Sequence, residues 1–361
     1  VRRFIDHADP RVKDAAYVLA GLWKLESLRP VLEEAAGAGR KAAVDGLVAL
    51  GGEPSLAFLK KLGGPLGVAG LAALNPALAA PLAGEALDVD AETVVAAFLA
   101  RKGGAEVLAA ALDPKKVPAD AARTALRHMY AAGRQEPALA AVFNAALGLA
   151  PKRAELAPEA LKALAARAVA EGDPARGEAV FRRKDLSCFQ CHAIAGAGGN
   201  VGPDLLSLGA SAPPDYILES ILKPDAKTKE GFVSIQVLTK SGDVLSGVRV
   251  RETNEELVLR DPLREEVTLR KSAIELQKPI GSVMPQGLAD LLTEKELLDL
   301  VRFLTELGKP GPWAVSNAPV VRRWLMWTAV TLATAFSAIQ PRWRWAPLVV
   351  ATLLVVAGLG T

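Results

Sequence analysis

Two cysteines and one of only three histidines share a run of five residues, Cys188-Phe189-Gln190-Cys191-His192, and the chain has no other cysteine. Thiols three positions apart reach both vinyl groups of one porphyrin as thioethers, and the adjacent imidazole is then held against the iron. The spacing predicts one covalently bound haem c per chain, tethered by Cys188 and Cys191, with His192 as metal ligand. A four-ligand zinc site lacks donors, because His7 and His128 lie far off in sequence and there is no third cysteine. A thioredoxin-like dithiol would follow a strand in a βαβ unit, whereas a helical pattern from Ala175 to Arg183 precedes this one.

Iron held by His192 needs a partner on its far face. Met129 sits among Leu and Ala at helical spacing, which predicts a core position, and Met326 lies in an apolar tail. Met284 falls in Gly281-Ser282-Val283-Met284-Pro285, a loop stiffened by proline, and is the candidate second axial ligand. A His/Met pair favours the reduced ion and raises the potential, which suits single-electron transfer. The competing reading leaves Met284 off the iron and opens a distal site for catalysis or gas sensing, although no His or Arg cluster accompanies residue 284.

Elements that could position these residues follow from periodicity. Residues 1–172 read as short amphipathic helices broken by Gly, Pro or Asp. Unit starts at Arg11, Arg40, Val68, Glu92 and Ala119 are spaced roughly as helix pairs, which bury an apolar face only by stacking. The interval resembles HEAT-type repeats and predicts an α-solenoid, with a non-repetitive bundle as the competitor. Glu171-Gly172-Asp173-Pro174 breaks the last helix. A period of two from Phe232 to Leu276, with turns at Ser241-Gly242-Asp243, near Asn254 and at Asp261-Pro262, predicts a small antiparallel β-insert of about four strands over 231–277. Helical period returns from Thr293 to Leu307, opened by a Thr293/Glu296 capping box. The fold class expected is therefore mainly α, a HEAT-like solenoid followed by a haem domain over 174–309 that carries the insert.

Composition narrows the function classes. At 361 residues, 51% apolar and 23% charged with a net charge of +3, the chain is neither disordered nor a strongly basic nucleic-acid binder, and two cysteines exclude a disulfide framework. Residues 310–361 hold four Arg, no acid and five of the six Trp. Their apolar runs, Trp324 to Ile339 and Trp345 to Leu359, are short for membrane spans but have interfacial flanks. The tail is either a membrane contact through residues 324–361 or the start of a further domain.

Residues 174–309 resemble the class I cytochrome c fold, and more closely the planctomycete and verrucomicrobial haem-binding domain family. Gly177 and Phe181 match the first helix of that fold, Leu300 and Phe303 the last, and Gly202-Pro203-Asp204-Leu205 the loop whose proline carbonyl accepts from the proximal imidazole. The resemblance implies that Pro203 orients His192, and that the β-insert separating His192 from Met284, 92 positions later, is a family feature. It also implies a redox partner protein, either a fused or docked dehydrogenase or a terminal acceptor, and a periplasmic or other extracytoplasmic location, since covalent attachment happens outside the cytoplasm. No catalytic residue is expected. A solenoid that docks a partner protein, with an accessory haem, is a third reading.

Overall fold

The computed structural model describes residues 1–149, 156–229, 231–263 and 265–314. Over these the chain is mainly α-helical, with one five-stranded antiparallel sheet in its C-terminal part. Residues 1–306 form one compact unit.

The N-terminal half is a succession of helices: α1 (Arg2–Ile5), α2 (Pro10–Leu22), α3 (Arg29–Gly37), α4 (Lys41–Leu50), α5 (Gly52–Leu62), α6 (Gly64–Leu74), α7 (Pro76–Ala79), α8 (Ala83–Leu99), α9 (Gly104–Ala111), α10 (Ala119–Ala131) and α11 (Pro137–Ala146). Local chemistry sets their ends. Asp9 accepts from the Arg11 amide at 2.9 Å while Pro10 occupies the first turn, where no N–H is needed. Asp90 interrupts α8 at φ −152°, ψ 85°, and its carboxylate accepts from the Thr93 amide at 3.0 Å. The second half of α8 thus starts beside Glu92, where the sequence pattern starts a unit.

Helices α2, α4, α6, α8 and α10 pack one upon the next, and α3, α5, α9 and α11 each lie against a member of that row. Gly21 lets the first pair close up: a Cβ there would stand 2.1 Å from the Gly46 carbonyl oxygen. Between the helices runs one apolar cluster from Ile5 to Phe143, in which Leu47, Phe98, Leu126 and Met129 are fully buried. No single short helix could bury such a face alone. Helix α12 (Pro158–Glu171), grouped by sequence with the repeats, packs chiefly against α16 (Pro214–Leu222) and α17 (Glu294–Glu306).

After Gly172 come α13 (Pro174–Phe181), α14 (Cys188–Cys191), a two-stranded ladder of β1 (Ala193–Ile194) and β2 (Ala197–Gly198), α15 (Leu208–Ser211) and α16. The sheet follows with β3 (Val233–Thr239), β4 (Val244–Glu252), β5 (Glu256–Asp261), β6 (Glu265–Arg270) and β7 (Ile274–Ser282), in the order β6-β5-β4-β3-β7. Sequence alternation predicts about four strands ending near 277. The fifth, β7, runs on to Ser282 and pairs with β3 from Val233↔Ser282 to Thr239↔Ile274. Its Gln277, Lys278 and Pro279 spoil the alternation, and an edge position tolerates the proline. Ile235, Val237, Leu257 and Leu259 form the sheet's own buried cluster.

Helix α17 opens with the expected reciprocal cap. The Thr293 amide donates to Glu296 Oε2 at 2.8 Å and the Glu296 amide to Thr293 Oγ1 at 3.2 Å. Helical row and sheet join at the β3–β4 turn, where the Val244 amide donates to the Ala100 carbonyl (2.9 Å) and Arg101 pairs with Asp243 (2.7 Å). Among the described residues no helix is long and apolar enough to cross a membrane. The apolar tail over 324–361, with Met326 and its tryptophans, lies outside them.

Candidate functional site

Helices α13 and α17 cross where Gly177 meets the Asp299 carbonyl, with 2.0 Å between that oxygen and the place a Cβ would take. Glycine alone permits this approach. Beside the crossing, the Phe181 ring stands 5.8 Å from Phe303 and 6.2 Å, edge-on, from Phe189. Phe189 lies within the cysteine run, so the aromatic cluster seats α14 on the two crossed helices. The Asp299 carboxylate fixes the same junction. It accepts from the Asp173 amide at 2.7 Å and from Arg176 Nε and Nη2 at 2.7 and 3.0 Å.

His192 follows α14 directly, and its Nδ1 lies 2.9 Å from the Pro203 carbonyl oxygen. A carbonyl only accepts, so Nδ1 carries the proton and Nε2 keeps its lone pair, the tautomer a metal requires. Gly202 packs flat on the ring: a Cβ there would be 2.5 Å from His192 Cε1. Asp204 ties the loop back by accepting from the Ala195, Gly196 and Leu206 amides at 3.1, 2.7 and 2.8 Å. Burial pushes the Asp204 carboxyl up, but the three amides together hold it below the usual carboxylate range. Burial lowers the His192 pKa and so favours the neutral imidazole, against the Pro203 carbonyl, which acts to raise it.

Cys188, Cys191, His192, Pro203 and Met284 all line one cavity of about 590 Å³. The two thiols and the imidazole come from one turn of chain, and the thioether comes from 92 positions later, at the end of β7. Apolar walls from Leu186, Val201, Ile217, Leu292, Leu300 and Leu304 close the space between them. Burial raises the Cys188 thiol to about 12 and the Cys191 thiol to about 11. Both are therefore neutral at physiological pH, unlike the low-pKa thiolate of a redox dithiol. Among the described residues no group of three or more His, Cys, Asp and Glu could hold a metal ion.

The residues present fit a haem. The volume falls within the range of small-molecule sites, the lining is mostly apolar, and one imidazole nitrogen with its lone pair free, one thioether and two neutral thiols meet in it. Two buried hydroxyls on the cavity lining, Ser187 Oγ and Thr228 Oγ1, have no hydrogen-bond partner, as expected of groups that await a polar ligand edge.

Sequence reasoning missed Ser187 and Thr228, and also Tyr130 of α10, which lines the same cavity. Burial, with a smaller contribution from Asp290, pushes its phenol up to about 12. Nothing in the spacing marks these three residues. The only available signal was the scarcity of tyrosine, of which the chain has three. No protein-family model matches this chain, and no curated protein matches it.

Proposed function

We propose that the chain is a c-type cytochrome module that binds one haem covalently and passes single electrons. The observation that carries this reading is the convergence of Cys188, Cys191, His192 and Met284 on one apolar cavity, with the Pro203 carbonyl on the far nitrogen of the imidazole. Haem, when bound, supplies a one-electron iron couple whose potential a His/Met ligand pair raises. The chain's own residues do the rest. Cys188 and Cys191 would tether the group by thioethers, each S–H adding across one vinyl double bond with sulfur on one carbon and hydrogen on the other. Pro203 and Gly202 hold His192 in one tautomer and one orientation. Leu and Ile walls exclude water, so that little solvent rearranges when charge changes. Met284 on the same cavity lining would supply a second ligand, which favours an electron carrier over an open catalytic or sensing site.

The stacked rows of helices support a HEAT-like solenoid reading of the N-terminal half, and the Gly177 crossing supports a cytochrome c-like reading of the C-terminal half. On that basis the chain belongs with the planctomycete and verrucomicrobial type of haem domain. It exchanges electrons with a partner dehydrogenase or terminal acceptor in an extracytoplasmic compartment. The deciding experiment is denaturing electrophoresis with haem staining and intact mass. Haem stays on the wild-type chain and is lost from a Cys188→Ala/Cys191→Ala double variant. Release of haem from denatured wild type would overturn thioether attachment.

A further inference from the structure

The loop that carries Met284 is held by the N-terminal helices as well as by the domain around the cavity. On one side, Asp225, just past α16, accepts from the Ser282 amide at 2.8 Å and from Gln286 Nε2 at 3.3 Å. On the other side, the α10–α11 turn reaches across. Gln135 Nε2 donates to the Ser282 carbonyl at 2.8 Å and to the Met284 carbonyl at 3.4 Å, so one side-chain amide bridges the carbonyls of the two residues on either side of Val283. Gly133 makes that approach possible. Its φ is +61°, and a Cβ there would stand 2.3 Å from Val283 Cγ2. The packing agrees with the hydrogen bonds. Leu288 belongs to the buried cluster of the helical row and Met284 packs against that cluster, while the sheet's own cluster of Ile235, Val237, Leu257 and Leu259 includes neither. Tyr130, from the same end of α10, lines the cavity beside Met284.

We infer that the helical row completes the iron site, with Gln135 as a positioning residue that fixes the backbone of the Met284 loop and so the aim of its thioether. The inference rests on Met284 as axial ligand and goes beyond it, because it makes the solenoid half part of the redox centre rather than a spacer. An iron–thioether bond is easily displaced by a stronger donor unless the loop that carries it is held. Gln135 supplies two of the loop's hydrogen bonds from outside the haem domain.

The test uses the full haem-loaded chain and two readouts in the ferric state: the weak far-red sulfur-to-iron band, and the affinity for added imidazole, which replaces the thioether. Gln135→Ala and Gln135→Leu, the second keeping most of the volume without the donors, are expected to bind imidazole about tenfold more tightly than wild type, the equivalent of one to two hydrogen bonds. They are also expected to show a weaker band, with haem retention unchanged. Lys102→Ala, which removes an exposed pair with Glu275 elsewhere on the same junction, leaves both readouts at wild-type values. Wild-type imidazole affinity and band in both Gln135 variants, while Met284→Ala abolishes the band, would overturn the role of Gln135. A wild-type protein without the band overturns Met284 ligation itself and this inference with it, which separates the two failures.

Discussion

At the scale of single residues, the site depends on one imidazole held in one tautomer. The Pro203 carbonyl fixes the proton on Nδ1 at 2.9 Å, and Gly202 leaves the ring just enough room. Gly202→Ala would place a methyl group 2.5 Å from His192 Cε1, so either the ring or the loop has to move. Overpacking of this kind costs about 1–3 kcal/mol. The expected outcome is a lower yield of haem-loaded protein and a lower melting temperature, measured by haem stain against total protein and by thermal melts. A variant that loads and melts like wild type would show the contact to be soft. These residues were legible in the sequence because their chemistry is rare: two cysteines, three histidines and three methionines leave few alternatives. Ser187, Thr228, Tyr130 and Gln135 were not legible. Each is an ordinary polar residue whose part depends on which surface it meets, and Gln135 meets its loop 147 positions away from Ser282.

At the scale of elements, the α13–α17 junction combines a glycine crossing with a buried carboxylate. Burial raises the Asp299 carboxyl, but the Arg176 guanidinium and the Asp173 amide, with smaller contributions from the charges of Arg176 and Lys295, outweigh it and hold the carboxyl below its ordinary value. A carboxylate depressed in the folded state stabilises it fully above the ordinary range of about 3.9, and the contribution is lost as pH falls through the lower folded value. Wild type is therefore expected to lose melting temperature on acidification below about pH 4, and Asp299→Asn, already less stable at neutral pH, to show a flatter acid limb. Parallel limbs in thermal melts from pH 2 to 6 would assign the acid sensitivity elsewhere. The cap at the start of α17 gives a smaller effect. Thr293→Ala removes the acceptor for the Glu296 amide and should cost about 1 kcal/mol in denaturant melts. Sequence located this cap because it leaves a local signature, and pointed to the glycine of the crossing only through the family resemblance. It missed β7, whose polar and proline residues are tolerated only because the strand is an edge, a property of sheet order rather than of the strand itself.

At the scale of the whole molecule, the two stretches of different period share a surface. Gly172 and Pro174 mark a change of period, yet residues 1–306 form one compact unit, joined at the Ala100–Val244 ladder contact, the Arg101–Asp243 pair and the turn at Gly133. Periodicity sees the repeat of each half and is blind to the surface where the two halves meet, because Arg101 and Gly133 lie between helices and Asp243 between strands, where the spacing carries no period. Such a junction predicts coupled unfolding. Far-UV circular dichroism, dominated by the helical rows, and haem absorbance, which reports the cavity, should lose signal at the same denaturant concentration. Gly133→Val strikes the junction at Val283, which is buried with Val201 and Val248. It forces a β-branched residue to φ +61° and drives Cβ to within 2.3 Å of Val283 Cγ2, at a cost of about 1–3 kcal/mol or more. If the halves are one cooperative unit, both transitions move down together by the same amount. If the helical rows are an independent domain, the haem transition moves alone and the dichroism splits into two steps, and the unity of residues 1–306 would then be one of packing and not of stability.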